Sequence, residues 1–462
     1  MFFSVAITFA QSNIYRFFDT IPSDLPIPIV NISKSSSEGY IFMTVPWWGS
    51  GKPYNVIYDN SGSPVFYKSC AYLSADFKLH NNGLITYYDY HSTQFYIMDS
   101  SFSIVDSIKA GNGFTTDEHD IKLLPNGNSI LIGFNSILID MSKIVEGGNP
   151  YADVIVNVIQ EIDKNKNVIF EWKALDHYKI TDVSSSVNLL NAAFLHSHIN
   201  SIDIDLDGNL IISSRTLNEI SKIDKKTGKF IWRMGGKNNQ FSFINDTLGF
   251  SGQHSVNVLP NGNFLFFDNG ISRIPPFSRI AEYKIDTINK SATLVWSYRN
   301  NPDIFSPLWG NVQRLENGNS FIGWGYNATS VTEVTPSKEK VFEMKLPKDI
   351  YSYRAFRFPV KIKNKLSSVL QENKDIKINM AQNYPNPFNS STTIFYQLSS
   401  DNKVLLKIYN ILGREVSTLV NEFQKAGDHR INFLPGNLPS GVYYYKLQAG
   451  YFSSVQKMVY LK

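Results

Sequence analysis

The chain has a single cysteine, Cys70, in 462 residues. One thiol excludes an internal disulfide framework and a cysteine-ligated zinc site. No apolar run reaches the 18 residues of a membrane-spanning helix, so no transmembrane segment is expected. Neither sign of charge dominates. With 44 basic and 40 acidic residues the net charge is only +4, and nothing calls for nucleic acid or an anionic membrane as partner. Ala- and Glu-rich stretches are also few. What is abundant is aromatic: 25 Tyr and 32 Phe favour strands over helices. The 43% hydrophobic content excludes a disordered chain, and the length allows about three domains of roughly 150 residues.

A strand–turn–strand pattern recurs along the chain. It reads LHNNGLITYY at 79–88, LLPNGNSILIG at 123–133, IDLDGNLIISSR at 204–215, VLPNGNFLFF at 258–267 and RLENGNSFIGW at 314–324. Asn-Gly or Asp-Gly between alternating apolar runs is a strong hairpin signal, because these residues accept the positive φ of a tight turn. A second hairpin follows each first one, and Trp172, Trp232 and Trp296 close three of them at matching places. With a looser unit at 40–67 the count of four-stranded units is six. Radial repetition of such units is a β-propeller. The expectation is an all-β chain with a six-bladed propeller over 40–358, preceded by a lead-in at 11–39.

The two ends carry different signals. Met1–Ala10 (MFFSVAITFA) has the apolar stretch and small-residue end of a clipped signal peptide, without a basic start. After Pro359 the composition turns polar, giving a linker at 359–380 and a separate small β-sandwich at 381–462. Its opening NYPNPFN and its strand SGVYYYKL resemble the C-terminal sorting domain of the type IX secretion system. That resemblance implies export to the cell surface or beyond, with the secretion machinery as partner.

Of the eight histidines, three fall in register with the turn glycines. His119 and His254 each lie eight residues before their turn glycine, and Asn200 does so with His198 two residues earlier. Even spacing on a strand puts such side chains on one face. If each turn has two loop residues, Asn200 faces Arg215, His254 faces Asn269, His119 faces Phe134 and Gly310 faces Gly325. Inner strands line the channel of a propeller, so these groups are expected to converge at one end of it. His80, His91, His177 and His429 fall elsewhere and read as structural, and His196 is left open.

Imidazoles with a guanidinium and amides, and no carboxylate dyad, suit a tetrahedral oxyanion better than a metal ion, which Arg215 would repel. Imidazole also serves as a nucleophile. Transfer of a sulfuryl group has the matching shape, since charge spread over three oxygens is met by positioned donors.

The strings HSHINSIDID, SSRTLNEI, WRMGGKNNQF, GQHSVNVLPNGN and NVQRLENGN resemble the bacterial arylsulfotransferases. The resemblance spans most of 40–358. It implies a propeller that moves a sulfuryl group from an aryl sulfate to a phenol through a sulfated histidine, with no nucleotide donor, cofactor or metal. Carried over by motif, His254 in GQHSV is the nucleophile, with His198 and Asn200 in HINSI, Arg215 in SSR and His119 in EHD as the other pocket residues. Asn269 and Phe134 join them as substrate-binding candidates. Enteric members carry a disulfide just before the nucleophile, and the corresponding stretch here has no cysteine, so dependence on a dedicated oxidase does not carry over. The competing expectation is a non-catalytic secreted propeller that binds sulfated or other anionic ligands.

Overall fold

The structure, a computed structural model, describes residues 13–15, 21–45, 51–327, 329–363, 379–398, 402–411, 413–449 and 452–462. The expected signal segment at 1–10 and most of the 359–380 linker lie outside these residues. The chain divides into two units, 1–364 and 365–462. Among the described residues the only helical elements are three 3₁₀ turns of three residues each, so the chain is all-β.

Among the described residues of the first unit the strands form six sheets of four or five strands, apart from a parallel pair joining Asn13–Tyr15 to Lys361–Lys363. The inner strands of these sheets are Ala355–Phe358, Ser74–Leu79, Thr115–Leu123, Ile199–Ile204, His254–Val258 and Asn311–Arg314. Two sheets borrow strands from distant sequence. The sheet containing Tyr40–Val45 takes its inner strand, Ala355–Phe358, from the far end of the unit. The sheet of the last repeat gains an outer strand, Ile29–Ser33, from the lead-in. The expected lead-in therefore contains a strand of the ring.

Each inner strand is a sheet edge, and its outward backbone groups have no ladder partner. Side chains of the neighbouring inner strand supply one. Lys78 Nζ binds Asp120 (2.6 Å), and the other oxygen of Asp120 accepts the Ile202 N–H (3.0 Å). Ser201 Oγ accepts the Val256 N–H (2.9 Å), and Asn257 donates to the Val312 carbonyl (3.1 Å). Asn311 exchanges two bonds with the backbone of Ala355, and Arg354 closes the circuit onto Asp76 (2.9 Å). This closed circuit of inner strands makes the unit a propeller.

Apolar faces pack between sheets, as in the buried set Ile211, Trp232, Phe264, Phe266 and Tyr283. Trp172 and Trp296 reach further. Their indole N–H groups donate to the Gly228 and Pro336 carbonyls in outer turns of the next sheet, both at 2.9 Å.

The second unit is a sandwich of a three-stranded and a four-stranded sheet. Burial alternates along Thr392–Leu398, as a strand with one face on a core requires. Ile394, Leu406, Ile408, Tyr445, Leu447 and Met458 form that core within the unit. In the NYPNPFN opening, the Asn383 N–H donates to Tyr445 Oη (2.8 Å), and that hydroxyl donates to the Ala381 carbonyl (3.0 Å). Because the sandwich has its own core, ending the chain after Asn364 is expected to leave the melting transition of the propeller within a few degrees of its full-length value. Calorimetry of the two proteins checks this; a large fall would mean that the two cores are not independent.

Candidate active site

The site is built by the ends of the inner hairpins that lie away from their turns. In each hairpin the glycine N–H bonds back three residues, as from Gly208 to the Asp205 carbonyl (2.8 Å), and Asp205 N–H bonds the Asn209 carbonyl (2.8 Å). The same pair of bonds recurs around Gly127, Gly262 and Gly318. These are three-residue loops with the glycine in the left-handed region, at φ +83 for Gly208. The extra loop residue moves every pairing by one from the two-residue expectation.

Bulges then move the inner ends again, between Thr116 and Ile121, Ile199 and Ser201, and His254 and Asn257. His198 and Ser255 adopt φ +40 and +54 at these irregularities. Four expected pairings are corrected as a result. Arg215 N–H pairs with the His198 carbonyl (3.0 Å) and not with Asn200. His254 opposes Phe267, Asn311 opposes Gly323 in the last repeat, and Phe134 opposes Thr115. Phe134 thereby loses the pairing with His119 that made it a pocket candidate.

The expected groups nevertheless meet. The rings of His119 and His198 touch edge to face with centroids 5.0 Å apart. His254 Nδ1 lies 2.7 Å from Asn269 Oδ1 and 2.9 Å from the Gly252 carbonyl. Asn269 donates its own Nδ2 to the Ser306 and Trp309 carbonyls, which fixes its oxygen toward the histidine. Both partners of Nδ1 are acceptors, so the proton sits there and Nε2 carries the lone pair. Asn269 is therefore a group that orients His254, a different role from the substrate contact expected of it. Asn200 likewise donates Nδ2 to the Gln253 carbonyl (2.8 Å) and steadies the residue before His254.

Charge is distributed unevenly over the three imidazoles. Burial, reinforced by Arg215, pushes His254 well below the ordinary histidine range. Burial together with His119 and Arg215 does the same to His198. Burial opposes the charged form of His119 too, but Asp117 and Glu118 outweigh it and raise its pKa to about 9. At neutral pH the site thus holds one imidazolium and two neutral imidazoles.

Arg215 forms no ion pair with any described residue. It donates to the Pro307 carbonyl (3.2 Å), and its Nε is buried without a partner. His198 Nδ1 and Asn200 Oδ1 are also buried and unpartnered. Buried polar atoms left without a partner are costly, and three of them belong to residues singled out by the sequence pattern.

Sequence reasoning missed several neighbours. Tyr353 packs on His119 with centroids 5.9 Å apart, and Trp309 lies 6.4 Å from Tyr353. Arg354 donates to the Asn200 carbonyl (2.7 Å) and is held by Asp76. Both Tyr353 and Arg354 precede the borrowed strand and sit outside the repeats, where no spacing rule reaches them. Asp117, two residues before His119, was visible in the sequence but had no assigned role. His196 is buried, and its Nε2 is bonded to the Lys179 carbonyl (3.0 Å).

Asp117, Glu118 and His119 bring one ligating atom each within 4.8 Å of one another. His119 Nδ1 is already bonded to Asp117 (2.5 Å), so these two form an ion pair with the ring proton between them, and Glu118 stands 3.8 Å away.

No curated protein matches the chain. Among solved structures it is similar to a Bacteroides caccae protein of unknown function, at 12% identity and TM-score 0.45, over 70% of this chain and 99% of that one. It is also similar to a catalytically inactive virginiamycin B lyase from Staphylococcus aureus with quinupristin, at 10% identity and TM-score 0.36, over 80% and 96%. Two family models match. Residues 382–461 match the secretion system C-terminal sorting domain, which marks the protein for export to the cell surface or beyond. Residues 30–357 match the arylsulfotransferase (ASST) family, and the chain belongs to that family.

Proposed function

We propose that the protein transfers a sulfuryl group from an aryl sulfate to a phenol in two half-reactions through His254. The observation that carries this reading is His254 with its Nδ1 proton held by Asn269, in the field of Arg215, a guanidinium with no ion-pair partner among the described residues and a buried Nε left unbonded. In the first half-reaction Nε2 attacks sulfur and the bond from sulfur to the aryl oxygen breaks. The departing oxygen takes a proton from the His119 imidazolium. In the second half-reaction a phenol oxygen attacks the same sulfur, the N–S bond breaks, and neutral His119 receives the phenol proton. Arg215 and His198 face the sulfuryl oxygens, whose negative charge supplies the missing partner of the guanidinium. Tyr353 and Trp309 offer rings against which an aryl group stacks.

Mixing the protein with a chromogenic aryl sulfate and a phenol tests the reading. Release of the donor phenol is expected to depend on the acceptor, and mass spectrometry after quenching is expected to find a sulfuryl group on the peptide containing His254. Binding without release would make the protein a receptor for anions, and release without acceptor would make it a hydrolase. Arg215→Gln is expected to lower turnover by about 10²–10³-fold, the usual loss on removing one oxyanion donor. A change below threefold would remove Arg215 from the machinery.

A further inference from the structure

Asp117 is buried, at 7% exposure, and forms no ion pair with Lys or Arg among the described residues. Its Oδ1 accepts both the backbone N–H (2.9 Å) and the ring Nδ1–H (2.5 Å) of His119. Two bonds from one oxygen fix the ring's tilt and place its proton-donating Nε2 on the opposite side. Its Oδ2 accepts from Asn157 Nδ2 (3.3 Å). Asn157 in turn accepts the Ile199 N–H (2.9 Å) and the Ser197 hydroxyl (3.0 Å), the two residues flanking His198. One bonded path therefore joins the carboxylate behind His119 to the backbone that carries the second imidazole.

We infer that Asp117 is a positioning residue for proton transfer: it orients His119 and supplies the counter-charge that keeps this histidine a donor, with Asn157 holding Asp117 in place. The inference rests on the transfer reaction proposed above. Its physical basis is the cost of an unmatched buried carboxylate: among the described residues His119 is the one cationic group in an ion pair with Asp117. The other charged or titratable groups around His119 do not replace it. Glu118 on the same strand lies 3.8 Å from Nδ1, and its own acid is held protonated to higher pH by burial. Arg354 pairs with Asp76 and lies 3.8 Å from Asp120. Tyr353, Tyr88 and Tyr90 are phenols whose ionisation burial opposes. His198, His254 and Arg215 complete the surroundings and favour a neutral His119, so the counter-charge must come from the two carboxylates, of which Asp117 is the one bonded to the ring and Glu118 adds to it from 3.8 Å.

Asp117→Asn tests this, because the amide keeps an acceptor for the backbone N–H while removing the charge. Two readouts are compared with the unaltered protein. In ring-labelled protein, the His119 titration seen by NMR is expected to fall by about two pH units, the size of shift an adjacent opposite charge produces. In turnover, an ester with a poor leaving group needs the proton and one with a good leaving group does not. Phenyl sulfate is expected to lose about 10²-fold or more, the range of general acid catalysis, and 4-nitrophenyl sulfate only a few-fold. Asp117→Glu is expected to restore part of the phenyl sulfate rate and serves if the amide variant does not fold. Equal losses for the two donors, or an unmoved His119 titration, would overturn the inference. If the unaltered protein transfers nothing from either donor, the proposed reaction fails, and the NMR titration still decides whether Asp117 governs His119.

Discussion

Replacing His254 by alanine is expected to lower acceptor-dependent sulfuryl transfer by about 10⁴–10⁶-fold, the loss seen when a covalent nucleophile is removed. The size follows from how the residue is held. Its ring is buried, its Nδ1 proton is shared between Asn269 and the Gly252 carbonyl, and burial reinforced by Arg215 keeps the imidazole neutral. No described neighbour substitutes for it. His198 is neutral but has no acceptor on Nδ1, and His119 is protonated at neutral pH. The bond between Asn200 and the Gln253 carbonyl uses no His254 atom, so the strand that carries the residue keeps its support. Steady-state assay of His254→Ala with a saturating donor and acceptor checks this, with thermal melting as the control for folding. Retention of more than a tenth of the activity would place the nucleophile elsewhere.

The second large effect concerns stability. Arg357→Ala is expected to destabilise the propeller by about 3–5 kcal/mol, the cost of leaving a buried charge without its partner. Arg357 is fully buried on the borrowed inner strand. Its Nε lies 3.2 Å from Glu333, and its Nη1 donates to the Ser37 carbonyl (2.8 Å). The guanidinium also sits over the rings of Phe321 and Phe342, 4.8 Å from each centroid. Glu333 accepts from the backbone N–H of Ser37 (2.9 Å) and from Asn319 (2.7 Å). One ion pair thus ties the lead-in, the last repeat and the closing strand together. The melting temperature of the propeller is expected to fall by about 4–7 °C for a unit of this size. Replacing both partners with apolar residues, Arg357→Met with Glu333→Leu, is expected to recover much of the loss, because no charge is then stranded. A fall below 2 °C for Arg357→Ala would show that the pair does not secure closure.

Much of this molecule is local in origin and so was legible in its amino-acid order. Asn-Gly and Asp-Gly turns, alternating apolar runs and recurring tryptophans determine the hairpins, since turn conformation and strand pattern depend on a few adjacent residues. The same holds for the sandwich, announced by NYPNPFN and SGVYYYKL. The catalytic candidates were legible too, because His119, Asn200 with His198, and His254 keep a constant distance from their turns. Register was not. A third loop residue at each glycine shifted every pair by one, and bulges at 116–121, 199–201 and 254–257 shifted the inner ends again. A longer loop leaves each strand's own alternation intact, and the bulges fall in mostly polar stretches where there is little alternation to interrupt. Only the tertiary structure decided that Ala355–Phe358 pairs with Tyr40–Val45, that Arg354 and Tyr353 enter the site, and that Asn157 joins Asp117 to the flank of His198. Those contacts join residues far apart in sequence, and they exist because edge strands and buried charges must find partners wherever the closed ring brings them.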